Sequence, residues 1–124
     1  MENEQRKHIS VDTEDGVTVV TCLDGKMESD IASNDWNLEV AEALDSITDG
    51  RLVIDFRKVD LVTSRVMGYL LSVKFLAEKK GISLVLCGFN AYIAKAMSLT
   101  NLDSVFTIAK NRAAAISALK DKSA

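Results

Sequence analysis

RLVIDF at 51–56 is apolar at nearly every consecutive position, and SLVLC at 83–87 repeats the pattern further along the chain. A strand with one wet face alternates apolar and polar residues, whereas an unbroken run is expected of a strand covered on both faces. Between the two runs, residues 64–80 read as a helix. It stops at Gly81, the residue type best suited to a left-handed C-terminal cap. Two such strands joined by a helix form a parallel crossover, which is right-handed in nearly all cases. This unit requires helices packed over the sheet and excludes an all-helical or all-strand fold.

The rest of the chain extends the same alternation. Residues 8–25, HISVDTEDGVTVVTCLDG, predict two short strands around Asp15-Gly16, a dipeptide that tolerates the positive φ of a tight hairpin. In DWNLEVAEALDSI, Trp36, Val40, Leu44 and Ile47 recur on one helical face. Asn90 is suited to cap a helix over AYIAKAMSLT, and Asn101 to end it in left-handed geometry. VFTI at 105–108 predicts a strand, and Asn111 opens a last helix over NRAAAISALK. The expected order is β-β-α-β-α-β-α-β-α. It gives an α/β fold with a mixed, mainly parallel sheet, an antiparallel N-terminal strand and about four helices. The chain has 124 residues and no Pro, and it shows no repeat or linker, so residues 1–124 are expected to form one domain.

Most chemistry is not written into this sequence. The six glycines show neither phosphate-loop spacing, and His8 is the only histidine. Cys22 and Cys87 match no zinc pattern and lie in apolar runs, as expected of buried small hydrophobes. No metal site and no cofactor are expected. Asp55 and Asp60 flank the end of the 51–56 strand, where open α/β sheets often place their sites, but such residues more often end a strand or solvate a loop. Neither an acid-base pair nor a nucleophile beside its base stands out, so an enzyme is not expected. A net charge of −3 argues against direct nucleic-acid binding. No apolar run approaches the ~18 residues of a membrane span. The N-terminus also lacks a signal peptide's apolar stretch, and the expected location is the cytoplasm.

LVTSRVMGYLL, 61–71, is the most informative stretch. Thr63 and Ser64 stand where the central helix begins, and either hydroxyl can accept a hydrogen bond from the free N–H groups there. One cap explains one hydroxyl. A hydroxyl in the first turn is also where a phosphate is tolerated, because the helix dipole favours negative charge. Val66, Tyr69, Leu70, Val73, Leu76 and Ala77 already form a core stripe, yet Met67, Leu71 and Phe75 form a second one. The second stripe packs on a neighbouring helix or belongs to a partner-binding face.

The run from Arg51 to Ile108 resembles the STAS domain, a family found in sulfate transporters and in the anti-sigma-factor antagonists of bacteria. The likeness rests on the order of an apolar strand, a hydroxyl-bearing turn, an apolar helix, LVLCG, and NLDSVFTI in place of the family's "TGLD..F.I". LDGKME at 23–28 is similar to the "G.LD" bend that precedes the family's first helix. The resemblance implies a βα superhelix and a partner-switching function. Such a protein binds an anti-sigma factor that is also a serine kinase, and it is released when a serine at the helix start is phosphorylated. It would thereby regulate transcription, with a serine phosphatase restoring binding. In switching members the turn reads approximately Asp-Ser-(Ser/Thr)-Gly, and its serine falls on Ser64. Thr63 stands for the aspartate, Arg65 for the next hydroxyl and Val66 for the glycine. The docking residues implied are Thr63, Ser64, Arg65, Met67, Gly68 and Leu71, on a monomer or weak homodimer. The altered turn also fits an alternative: a scaffold or accessory subunit without a phosphorylation cycle, as in stressosome-like assemblies or lipid transporters.

Overall fold

The computed structural model describes residues 6–122. β1 (Ile9–Glu14) and β2 (Val17–Cys22) form a hairpin, with Asp15 and Gly16 at its tip at φ 53° and 77°. The sharp reversal therefore uses the two residues that tolerate it. The short β3 (Lys26–Met27) leads to α1 (Asp30–Asp45), then β4 (Arg51–Asp55), the short β5 (Leu61–Val62) and α2 (Ser64–Lys79). The chain closes with β6 (Ser83–Cys87), α3 (Ala91–Leu99), a 3-10 turn at Leu102–Ser104, β7 (Thr107–Ala109) and α4 (Arg112–Lys122).

The main sheet runs β1-β2-β4-β6-β7, antiparallel only between β1 and β2. This is the mixed, mainly parallel sheet with four helices that the alternation predicts. β4 is buried at all but its first residue, as its apolar run requires, and β2 is buried along its whole length even at Thr18 and Thr21. α1, α2 and α3 cover one face, where Trp36, Val40, Leu44, Leu70, Val73, Ile93 and Met97 meet Val20, Leu52, Ile54 and Leu86. α4 covers the other, with Ala115, Ile116 and Leu119 on Val19, Val53, Val85 and Cys87.

Three boundaries differ from the sequence reading, each for a local reason. α1 begins at Asp30, a turn before residue 35, because the Ser29 hydroxyl accepts a hydrogen bond from the Ala32 N–H at 3.3 Å and caps it there. Its regular part ends at Asp45, and Ile47 packs on the core from just beyond. The last strand starts at Thr107, since Asn101 at φ 61° turns the chain into the 3-10 segment first. β3 and β5 pair with each other in a separate two-stranded ribbon, too short to carry a pattern in the sequence. The remaining caps hold: Asn90 accepts from Ile93 N–H at 2.8 Å, Asn111 from Ala114 N–H at 2.9 Å, and Gly81 sits at φ 72°.

Candidate functional site

The connection from β4 to α2 holds the residues of interest. Gly25 in the preceding bend fixes it by accepting the Asp60 N–H at 2.6 Å, and Asn90 Nδ2 donates to the Asp60 carbonyl at 3.0 Å. β5 then delivers the chain to the start of α2 beside β3. The two hydroxyls there have separate duties. Thr63 is the N-cap: its backbone is extended, and its Oγ1 accepts from the Val66 N–H at 3.4 Å. Ser64, the first helical residue, is exposed, and its hydroxyl has no hydrogen-bond partner among the described residues. One hydroxyl builds the helix and the other stands free at its positive end.

Around Ser64 the surface is graded. Arg65 is exposed and reaches the neighbouring helix, its Nε 3.1 Å from Asp30 Oδ1 in the first turn of α1. Tyr69, a turn along, and then Asp30 raise the guanidinium's pKa above its ordinary value. A second pair joins the same helices at their far ends, Lys80 Nζ lying 2.7 Å from Asp45 Oδ1. α1 and α2 therefore lie side by side and parallel, tied at both ends. Gly68 is exposed, and a Cβ built on it would meet nothing within 4 Å, so the helix surface is flat there.

The second apolar stripe of α2 divides along its length. Met67 lies in the core at 9% exposure, Leu71 is half-buried against the core, and Phe75 stands 58% exposed with Lys74 Nζ 5.9 Å from its ring centre. At 100° per residue, Ser64, Gly68, Leu71 and Phe75 fall on one outward-facing strip. Of the six residues singled out in the sequence, the structure gathers Thr63, Ser64, Arg65 and Gly68 at the helix start. Met67 lies beneath them, and Leu71 follows a turn later.

A second polar cluster lies at the other end of the same connection, on the α4 side. Asp55 is 1% exposed. Its Oδ2 accepts from Arg112 Nε at 3.0 Å, and its Oδ1 from the Arg57 backbone N–H at 3.0 Å. Arg112 also donates to Thr21 Oγ1 at 2.7 Å and to Glu14 Oε2 at 3.1 Å. Thr21, Asp55 and Cys87 are register partners across β2, β4 and β6, so one arginine spans neighbouring strands on one face. Gly88 is required beside them: its φ is 79°, and a Cβ there would lie 2.6 Å from Asp55 Oδ1 and 2.8 Å from the Arg57 backbone nitrogen. Both carboxylate oxygens of Asp55 are thus engaged in holding the fold. An aspartate closing an otherwise apolar buried strand was the sequence signal for such a partner. Nothing in the sequence singled out Arg112.

Other chemistry is scarce. Burial pushes the thiols of Cys22 and Cys87 up to about 12, which keeps both protonated and unreactive at neutral pH. His8 Nδ1 lies 2.6 Å from Asp24 Oδ2, and its backbone N–H donates to Glu39 at 2.9 Å, tying the start of β1 to α1. Among the described residues no group of three or more His, Cys, Asp or Glu side chains could hold a metal ion. No helix among them is long and apolar enough to cross a membrane.

Solved structures share this architecture. An anti-sigma factor antagonist from Mycobacterium paratuberculosis superposes with a TM-score of 0.77 at 23% identity, over 90% of this chain and 92% of that one. RsbS of Moorella thermoacetica, in a serine-to-glutamate variant, gives 0.77 at 23% identity over 94% and 98% of the two chains. The Bacillus cell fate determinant SpoIIAA in its phosphorylated form gives 0.60 at 14% identity over 82% and 91%. These likenesses establish the fold. Among curated proteins no sequence matches. The sequence profile of the STAS domain, however, matches residues 8–115, nearly the whole alternating fold and all of the α2 surface. The chain belongs to the STAS domain family.

Proposed function

We propose that this protein is an anti-sigma-factor antagonist that works by partner switching, with Ser64 as the phosphorylated residue. The carrying observation is the division of labour at the start of α2: Thr63 caps the helix, so the exposed Ser64 hydroxyl can be modified without removing a structural hydrogen bond. The unmodified protein binds an anti-sigma factor that is a serine kinase, using Thr63, Ser64, Arg65 and Gly68 with the apolar strip of Leu71 and Phe75. Met67 supports this surface from beneath. Phosphate at Ser64 adds about −1.5 to −2 of charge to a close contact, and desolvation together with repulsion then ejects the partner. A serine phosphatase resets the cycle in the cytoplasm. The protein itself acts by binding, without catalysis or cofactor.

The test pairs the protein with a candidate anti-sigma-factor serine kinase from the same organism. ATP should label Ser64, as mapped by mass spectrometry, and Ser64→Asp should weaken the complex at least about tenfold, roughly 1.4 kcal/mol. A Ser64→Asp protein that binds the kinase as tightly as wild type overturns the proposal. One observation favours a scaffold instead: Thr63 replaces the acidic residue of switching turns and already completes the cap. A scaffold would form large particles alone in size-exclusion chromatography, whereas a switch runs as a monomer or small dimer.

A further inference from the structure

Arg65 occupies the position next to the free serine, yet its charge is directed elsewhere. Its guanidinium leans onto Asp30 of α1, where the pair is 54% and 78% exposed. Exposed ion pairs of this kind are screened by solvent and contribute little to stability, so the contact yields readily to a stronger anion. A phosphoserine dianion is such an anion, because three oxygens on a doubly charged group match the guanidinium's forked donors better than one carboxylate oxygen does. No other cation lies in the first turn of α2. Once released, Asp30 retains a favourable place in the first turn of α1, at that helix's positive end. The second tie, Lys80 to Asp45, is remote from Ser64 and persists.

We propose that phosphorylation of Ser64 transfers Arg65 from Asp30 to the new phosphate, untying the N-terminal ends of α1 and α2 while their C-terminal ends stay joined. The inference rests on the reading of Ser64 as the modified residue and adds how the modification spreads. The exchange changes the partner surface on two helices rather than one. Ile31, next to Asp30 and 78% exposed, lies on the part of α1 that is released.

The test uses the full chain with phosphoserine installed at position 64 during translation, which bypasses any kinase. Phosphorus NMR follows the second phosphate ionisation, ordinarily near a pKa of about 6. A paired arginine favours the dianion, so wild type should titrate roughly half a unit lower than Arg65→Gln. Asp30→Asn, which removes the competing carboxylate, should titrate at or below wild type. In the unmodified protein Asp30→Asn should move the Arg65 Nε–H resonance toward that of a free guanidinium, whereas phosphorylation of wild type should keep it in the range of a bonded one. Equal phosphate pKa values in wild type and Arg65→Gln overturn the exchange, whatever the partner does. A phosphoprotein with the lowered value that still holds its kinase supports the exchange and overturns the switch instead.

Discussion

Asp55 and Ser64 sit at opposite ends of one connection, and their surroundings are opposites. The carboxylate of Asp55 is sealed at 1% exposure and gripped by Arg112 and a backbone N–H, with Gly88 left bare to make room. The hydroxyl of Ser64 is exposed and holds nothing. Burial without a partner would cost Asp55 several kcal/mol, so its environment is closed around it. A group surrounded by water incurs no such cost and is available for something outside the molecule. A polar residue in this fold thus belongs to structure when its bonds are complete inside the chain, and to recognition when they are left open.

Substitutions at the two ends should separate these roles. The largest effect belongs to Asp55→Ala, which removes the buried acceptor shared by Arg112 and the Arg57 N–H and leaves Arg112 only Thr21 and Glu14. Urea denaturation should show a loss of about 3 kcal/mol. A loss below about 1 kcal/mol would break the contrast by making the buried pair dispensable. Thr63→Ala removes the cap next to the free serine and should cost about 1 kcal/mol in the same assay. That result would locate the boundary between the two kinds of residue within a single pair of neighbours. The smallest effect belongs to Ser64→Asp, where an acidic group at the helix start should raise stability by about 0.5 kcal/mol. A clear loss there would mean that the hydroxyl has a structural duty after all.

The fold was legible because its signals are local and repeated. Unbroken apolar runs marked β4 and β6, Asn and Gly marked helix ends, and Asp15-Gly16 marked the hairpin, each through a preference that operates within a few residues. The ribbon of β3 and β5 was not legible, since two-residue strands carry no periodicity and are fixed by the bends around them. At the site, the presence of two hydroxyls at the helix start was readable, whereas which one caps and which stays free depended on the path of the backbone through Thr63. Arg65 was visible as a neighbour of Ser64, but its attachment to Asp30 depends on two helices lying parallel. Arg112 could not be assigned to Asp55 from sequence, since only the assembled sheet with α4 packed on it brings them together.

The strand order β1-β2-β4-β6-β7 rises with the chain. During synthesis, each main-sheet strand after the first therefore finds its neighbour already made as it leaves the ribosome. The exception is the Asp55 carboxylate, which is placed early and must wait for Arg112, 57 residues further along the chain. A nascent or shortened chain lacking that arginine would carry an unanswered negative charge at the end of its central strand. Chains cut before Arg112 should therefore be far easier for proteases to open than chains that contain it.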